Sequence, residues 1–200
     1  PPPPSASETG EVVVLLAPSG KGGRSYNDMA LDGVRQAKAA YTFNSRDILP
    51  ARPSDYEAVV RDLTGEGVDL IVGVGFTYTD AFRRVAPDTP TVRFLLIDGD
   101  AGSVENVRSI EFRPEEGSFL VGAIAARKTA TGKVGFIGGM DIPILKRFEC
   151  GFVEGAKYAA EVDGKQITAE IQYLGTTPDA FGDPAKGRDV ATLMYGEGVD

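Results

Sequence analysis

The pentapeptide Gly-Glu-Gly-Val-Asp occurs twice in this 200-residue chain, at Gly65–Asp69 and at Gly196–Asp200. The first copy ends a stretch of helical periodicity and leads into the apolar run "VDLIVGVGF". Glycine after an amphipathic helix, followed by a β-branched run, is a helix-to-strand junction. The stretches "EVVVLLAPSG" and "KVGFIGGMD" also restart one theme, each a strand, a Gly-rich turn and a long helix. A theme repeated this way predicts two similar α/β lobes joined near residues 129–132. The predicted limits are 11–130 for an N-terminal lobe and 131–200 for a partial C-terminal lobe, with a Pro/Ser-rich linker over 1–10. About five strands are expected in the first lobe. Two strands and two helices are expected in the second, which would stop before its third strand.

Between these landmarks, strand and helix alternate. "EVVVLLAP" and "VDLIVGVGF" read as buried strands, as in a parallel sheet, and "TVRFLLIDGD" as another strand. "YNDMALDGVRQAKAAY" places Met29, Leu31, Val34 and Ala37 on one helical face. Ser54, with Glu57 three residues on, reads as a capping box for a second helix. Thr79 reads as the cap of a third, closed by Pro87. Arg46–Ile48 predicts a short strand, and 113–132 a helix with Phe119, Leu120, Gly122, Ala123 and Ala126 inward. Strands spaced by helices of this length argue βαβ units and a doubly wound parallel sheet.

The composition removes whole classes of function. There is no His, so a Ser-His-Asp triad and most transition-metal sites are excluded. The single Cys150 permits no internal disulfide and has no imidazole to activate it. A net charge of −8 without clustered Lys/Arg argues against a nucleic-acid surface. No apolar run approaches the roughly 20 residues of a membrane-spanning helix. No cofactor and no metal site is predicted.

Ligands of open α/β sheets bind beyond the carboxyl ends of the strands, and four loops leave those ends. In "APSGKGGRSYND", Tyr26 can stack on a planar ligand and Asn27 can bond a polar edge. The same Gly20–Gly23 loop lacks the spacing of a P-loop, but its amides could hold an anion. In "VGVGFTYTD", Gly75 allows close backbone approach and Phe76 and Tyr78 offer aromatic faces. In "LLIDGD", Asp98 can accept two hydroxyl hydrogen bonds. In "IGGMDIP", Gly138-Gly139 end a strand, and Met140 and Asp141 stand at the start of a helix. Each also has a structural reading, as cap, turn or packing residue, and no pair forms an acid/base constellation. A binding site is therefore favoured over an enzyme. A doubly wound enzyme using Gly20–Gly23 for a phosphate group, and a ligand-sensing regulatory domain of the same fold, stand as alternatives.

Taken together, several stretches resemble the basic membrane protein family, which includes the purine nucleoside receptor lipoproteins. They are Gly138–Pro143 followed by Phe148, Gly151, Phe152 and Gly155; "RSYND"; "FLLIDG"; "EEGSFLVGAIAA"; and "FGDPAKGRDVA". The similarity runs in the family's order from Val12 to Asp200. It implies the type I periplasmic-binding fold, with two lobes closing on a small ligand, a purine nucleoside delivered to an ABC importer permease. It further implies a periplasmic or cell-surface protein, held to the membrane by a lipid anchor outside this chain. The family's stacking aromatic falls on Tyr26, with Asn27 beside it and Asp98 on the ribose hydroxyls. Two family carboxylate positions fall on Ala17 and Gly23, which leaves the ligand's identity open.

Overall fold

A computed structural model describes residues 9–18 and 20–200 of the chain. Most of the Pro/Ser-rich segment expected over 1–10 lies outside the described residues; Gly10 already belongs to the first strand. The chain divides into two compact units, one ending at Phe112 and the other spanning Arg113–Asp200.

The first unit is a five-stranded sheet in the order β2-β1-β3-β4-β5, parallel throughout. Its strands are β1 (Gly10–Leu15), β2 (Phe43–Ile48), β3 (Leu70–Val74), β4 (Arg93–Ile97) and β5 (Val107–Ile110). Helices α1 (Tyr26–Ala40), α2 (Tyr56–Gly65) and α3 (Thr79–Val85) connect the first four. The central strands are apolar at nearly every position because both their faces are covered. On one face Val13, Leu15, Ile71, Phe94 and Leu96 pack with Tyr56, Val60, Tyr78 and Phe82 from α2, α3 and the turn before α3. Tyr56 and Tyr78 stack with ring centroids 4.4 Å apart. Phe82 and Phe94 meet edge to face at 5.0 Å. Each such side chain fully buried contributes about 1.5–3 kcal/mol. On the other face Val14, Leu16, Val72 and Val74 meet Ala30, Leu31 and Val34 of α1.

The second unit pairs β6 (Lys133–Met140) with β7 (Thr168–Gly175) in parallel and adds helices α4 (Pro114–Lys128), α5 (Pro143–Val162) and α6 (Pro184–Gly196). Helix α4, expected in the N-terminal lobe, belongs here. Its backbone lies directly against α5, because glycines face it. A Cβ on Gly122 would sit 1.9 Å from the carbonyl oxygen of Phe152, and one on Gly155 1.9 Å from that of Phe119. The unit boundary therefore falls before α4, at Phe112/Arg113, rather than at residue 130. Leu120, expected on the inward face, is exposed.

Three local expectations are corrected. Residues Pro53–Asp55 form a 3-10 turn ahead of α2, and Ser54 bonds the Asp55 carboxylate instead of capping the helix. Thr79 is the first residue of α3, whose cap position is Tyr78. Gly138 and Gly139 lie inside β6, which runs on to Met140. Aromatic rings explain both glycines: an added Cβ would meet Tyr173 at Gly138, and Phe181 at Gly139, each at 2.5 Å.

Candidate functional site

In the first unit, adjacent strands β1, β3 and β4 end side by side, at Leu15, Val74 and Ile97, and Ala17, Gly75 and Asp98 follow in the loops that leave them. Helix α1 starts over this edge. Ser25 caps it by accepting the Asp28 amide at 3.2 Å, and the Asp28 carboxylate accepts the Ser25 amide at 2.9 Å. This box places Tyr26 at the first helical position. Its half-exposed ring lies beside Gly75, which Ala17 also flanks. A Cβ on Gly75 would be 3.9 Å from Tyr26 Cε1 and 3.8 Å from Ala17 Cβ. Gly75 has φ of 101°, a backbone conformation reserved for glycine. Partial burial, and next the charge of Asp98, push the Tyr26 phenol well above its ordinary range. The two residues thus share one electrostatic environment.

Asp98 itself has φ of 61°. Asp tolerates the left-handed region better than most residues but at a cost, and such strain collects at functional sites. The conformation is fixed by the Asp98 amide, which donates to the Ile110 carbonyl at 2.7 Å. Phe76 is half-buried, and its backbone closes on Gly99, where a Cβ would lie 3.1 Å from Phe76 Cα. Tyr26, Gly75, Phe76 and Asp98 therefore lie together beyond the carboxyl ends of the strands.

Asn27 does not join them as a ligand contact. It has no exposed surface. Its Nδ2 donates to the carbonyls of Ala17 (2.9 Å) and Gly20 (2.6 Å), and its Oδ1 accepts the Ala17 amide at 2.8 Å. The reason is geometric: the second helical residue points back beneath the loop that precedes the helix. Tyr78 is likewise turned inward, with no exposed surface, and its hydroxyl donates to the Leu16 carbonyl at 2.6 Å. Between them Tyr78 and Asn27 bind the backbone where β1 ends. Neither role shows in a linear motif, because both partners lie across the loop or across the sheet.

The Gly20–Gly23 loop is not open to an anion in the way a phosphate loop is. The Gly22 amide donates to both carboxylate oxygens of Asp28, at 2.9 and 3.1 Å. These bonds, with that from the Ser25 amide, hold the Asp28 carboxyl below the usual carboxylate range. The loop's anion position is filled by the chain's own side chain.

The second unit carries the other two expected residues at the end of β6. Met140 is buried, and exposed Asp141 pairs with Lys146 at 3.3 Å. Asp141 is not the helix cap, since Ile142 holds that position. Sequence reading missed the cluster built on Lys146. Its ammonium binds Glu149 at 2.8 Å and lies 4.8 Å from the centroid of the Tyr173 ring. The Tyr173 hydroxyl donates to Glu149 at 2.5 Å. Burial, then the Glu149 carboxylate, push the Tyr173 phenol up to about 12. Only the β6–β7 register, which sets Gly138 opposite Tyr173, brings these residues together.

A separate apolar cavity of about 600 Å³ lies between α1 and the sheet, bounded by Val12, Val72, Leu95, Ile97 and Phe112. Tyr26 is the one expected site residue that reaches it. Among the described residues no group of His, Cys, Asp and Glu could hold a metal ion, and no helix is long and apolar enough to cross a membrane.

The aromatic, the strained carboxylate and the glycines lie beyond the carboxyl ends of the strands, where open parallel α/β sheets bind their ligands. Residues 10–200 match the family model Bmp, ABC transporter substrate-binding protein PnrA-like, and the chain belongs to this family. It is 32% identical over 198 residues to the ABC transporter nucleoside-binding protein BmpA of Lactococcus lactis subsp. cremoris, covering 95% of this chain and 53% of that protein. To Basic membrane protein A of Borreliella burgdorferi it is 33% identical, covering 95% and 60%. A solved ABC transporter solute-binding protein from Aeropyrum pernix K1 superposes with a TM-score of 0.84 at 34% identity, covering 95% of this chain and 53% of that one. The periplasmic-binding fold expected from the resemblance is thus the fold of this chain. The chain spans about half to three-fifths of the length of these relatives.

Proposed function

We propose that this chain is part of an extracytoplasmic substrate-binding protein that captures a purine nucleoside for an ABC importer permease. The observation that carries the reading is the pairing of Tyr26 and Asp98 at one strand edge. A planar base stacks on the half-exposed Tyr26 ring, a contact worth about 1–3 kcal/mol in comparable stacks. Asp98, held by its strained backbone, accepts hydroxyl hydrogen bonds from the sugar; bonds to a charged acceptor contribute about 1.5–3 kcal/mol each. The nucleoside-binding name of the Lactococcus relative supports the ligand class. The apolar Ala17 and the absence of a side chain at Gly23 mean that fewer polar groups of the ligand are held on this wall than a carboxylate at either place would hold.

Calorimetric titration with adenosine, guanosine and inosine, together with a nucleoside-breakdown assay on the same sample, tests the proposal. Stoichiometric binding without turnover is expected. Breakdown of the nucleoside, or silence with all three ligands, overturns it. The Asp28-filled loop disfavours the phosphate-using enzyme, so nucleoside monophosphates should bind no better than nucleosides.

A further inference from the structure

We infer that Asn27 is a positioning residue: it sets the affinity of the Tyr26–Asp98 edge without touching the ligand. This inference rests on the binding reading above. Asn27 is the one buried residue of α1, and it is polar. A buried amide is retained at a cost unless its donors and acceptor are all matched. Here both Nδ2 hydrogens and Oδ1 are used, and all three bonds go to the backbone of Ala17 and Gly20. Ala17 and the Tyr26 ring flank the same point, since a Cβ on Gly75 would lie 3.8 Å from Ala17 Cβ and 3.9 Å from Tyr26 Cε1. Gly20 begins a run of left-handed residues, Gly20, Gly22, Gly23 and Arg24, that carries the chain into the Ser25 cap. One side chain therefore ties the end of β1, the loop and the first turn of α1 into a single body. Tyr26, next to Asn27 in sequence, takes its place beside Gly75 from that body. Removing the amide frees the loop and lets the ring leave Gly75, so the ligand must offset the ordering entropy on binding.

Asn106 provides the contrast. It too is a buried asparagine that ties a loop, donating to the carbonyls of Ala86, Thr89 and Val92 at 2.9–3.0 Å. That loop precedes β4, at the opposite end of the strand from Asp98. Both Asn→Ala changes should lower Tm. A purely structural role predicts the same consequence for binding from each; a positioning role separates them.

The test compares Asn27→Ala, Asn27→Asp and Asn106→Ala by thermal unfolding, nucleoside calorimetry and amide hydrogen exchange. Asn27→Ala should bind at least tenfold more weakly, and Asn106→Ala within twofold of the parent. Asn27→Asp covers the case in which the alanine variant does not fold. Its protonated carboxyl can donate to one carbonyl and accept the Ala17 amide, and its ionised form can only accept. Its affinity should therefore fall as pH rises from 5 to 8 relative to the parent. Equal affinities for folded Asn27→Ala and the parent, or an Asn27→Asp affinity that follows the parent at every pH, overturn the inference. If the parent binds no nucleoside, the functional reading fails separately and exchange decides this one. Faster exchange at the amides of Ala17 and of residues 20–26 in an Asn27 variant, with the rest of the first unit unchanged, supports it. Unchanged exchange there overturns it.

Discussion

The Asp200 amide donates to the Lys133 carbonyl at 3.2 Å, the same bond that the Asp69 amide makes to Glu11 at 3.0 Å. Each closes a copy of Gly-Glu-Gly-Val-Asp against the first strand of its own sheet. The match extends inward. Gly67 and Gly198 both have positive φ (81° and 92°), and Val68 and Val199 are both buried. The carboxylates then differ. Asp69 accepts the Glu11 amide at 2.7 Å, whereas Asp200 accepts the amides of Ala130 (2.7 Å) and Thr131 (3.2 Å) and the hydroxyls of Thr129 and Thr131. The repeated peptide builds one junction twice, and the second copy uses its Asp to gather the loop between α4 and β6.

That gathering makes the second unit acid-sensitive. The Thr129 hydroxyl, then the Ala130 amide, hold the Asp200 carboxyl below its ordinary range. A depressed folded pKa contributes stability that is present above the unfolded value, about 3.9, and is lost as pH falls through the folded one. Urea unfolding from pH 6 to pH 2 should show the parent more stable than Asp200→Asn at pH 6, with the difference closing below about pH 4. A constant difference across the range would refute this.

The contact of α4 with α5 gives a sharper stability test. Gly122→Ala and Gly155→Ala each drive a methyl into backbone, which cannot move aside like a side-chain tip. Overpacking of this kind costs about 1–3 kcal/mol and more where backbone must shift. The helix-propensity gain of about 1 kcal/mol does not offset it. Gly117, in the same helix, has nothing within 4 Å of its added Cβ. Gly117→Ala should therefore be neutral or stabilise by up to about 1 kcal/mol, and chemical denaturation of the three variants side by side checks the order.

Much of this fold was legible in the sequence, for identifiable reasons. Apolar runs bounded by Gly and Pro marked β1, β3, β4 and β6, because strands buried on both faces need apolar residues at every position. The places of Tyr26, Gly75, Phe76 and Asp98 at a helix start and beyond strand ends were legible because these are local events. What escaped depends on partners distant in sequence. The first half of β2 is set by pairing of Phe43–Ser45 with Gly10–Val12. Gly138-Gly139 looked like a turn until the rings of Tyr173 and Phe181 filled the space above them. Asn27 looked like a ligand contact because its residue type suits one; its direction is decided by the loop folded over it.

Thr77 offers a test of an unmatched group next to the site. It sits between Phe76 and Tyr78 in the 3-10 turn after β3, and among the described residues its Oγ1 is a buried side-chain oxygen without a hydrogen-bond partner. A buried hydroxyl left unmatched costs about 1–3 kcal/mol. Thr77→Val keeps the shape and removes that cost, so Tm should rise by about 2–4 °C for each kcal/mol recovered. A fall in Tm would mean that the hydroxyl is satisfied by bound water, and the explanation offered for it would be lost.

The two site residues should separate by chemistry once a nucleoside is bound. Tyr26→Phe keeps the ring and should hold affinity within about threefold. Tyr26→Ala removes the stacking surface and should weaken binding by about 10–100-fold, the equivalent of roughly 1.4–2.8 kcal/mol. Asp98 must be changed with its backbone in mind. An alanine there would add left-handed strain of about 1–2 kcal/mol to the loss of the carboxylate. Asn tolerates that region, so Asp98→Asn isolates the charge. Calorimetry should show Asp98→Asn weaker by about tenfold or more for ribonucleosides with Tm nearly unchanged, and much less affected for the free base, which has no sugar hydroxyls to lose. An equal loss for nucleoside and free base would place Asp98 away from the sugar and contradict its assignment to the ribose hydroxyls.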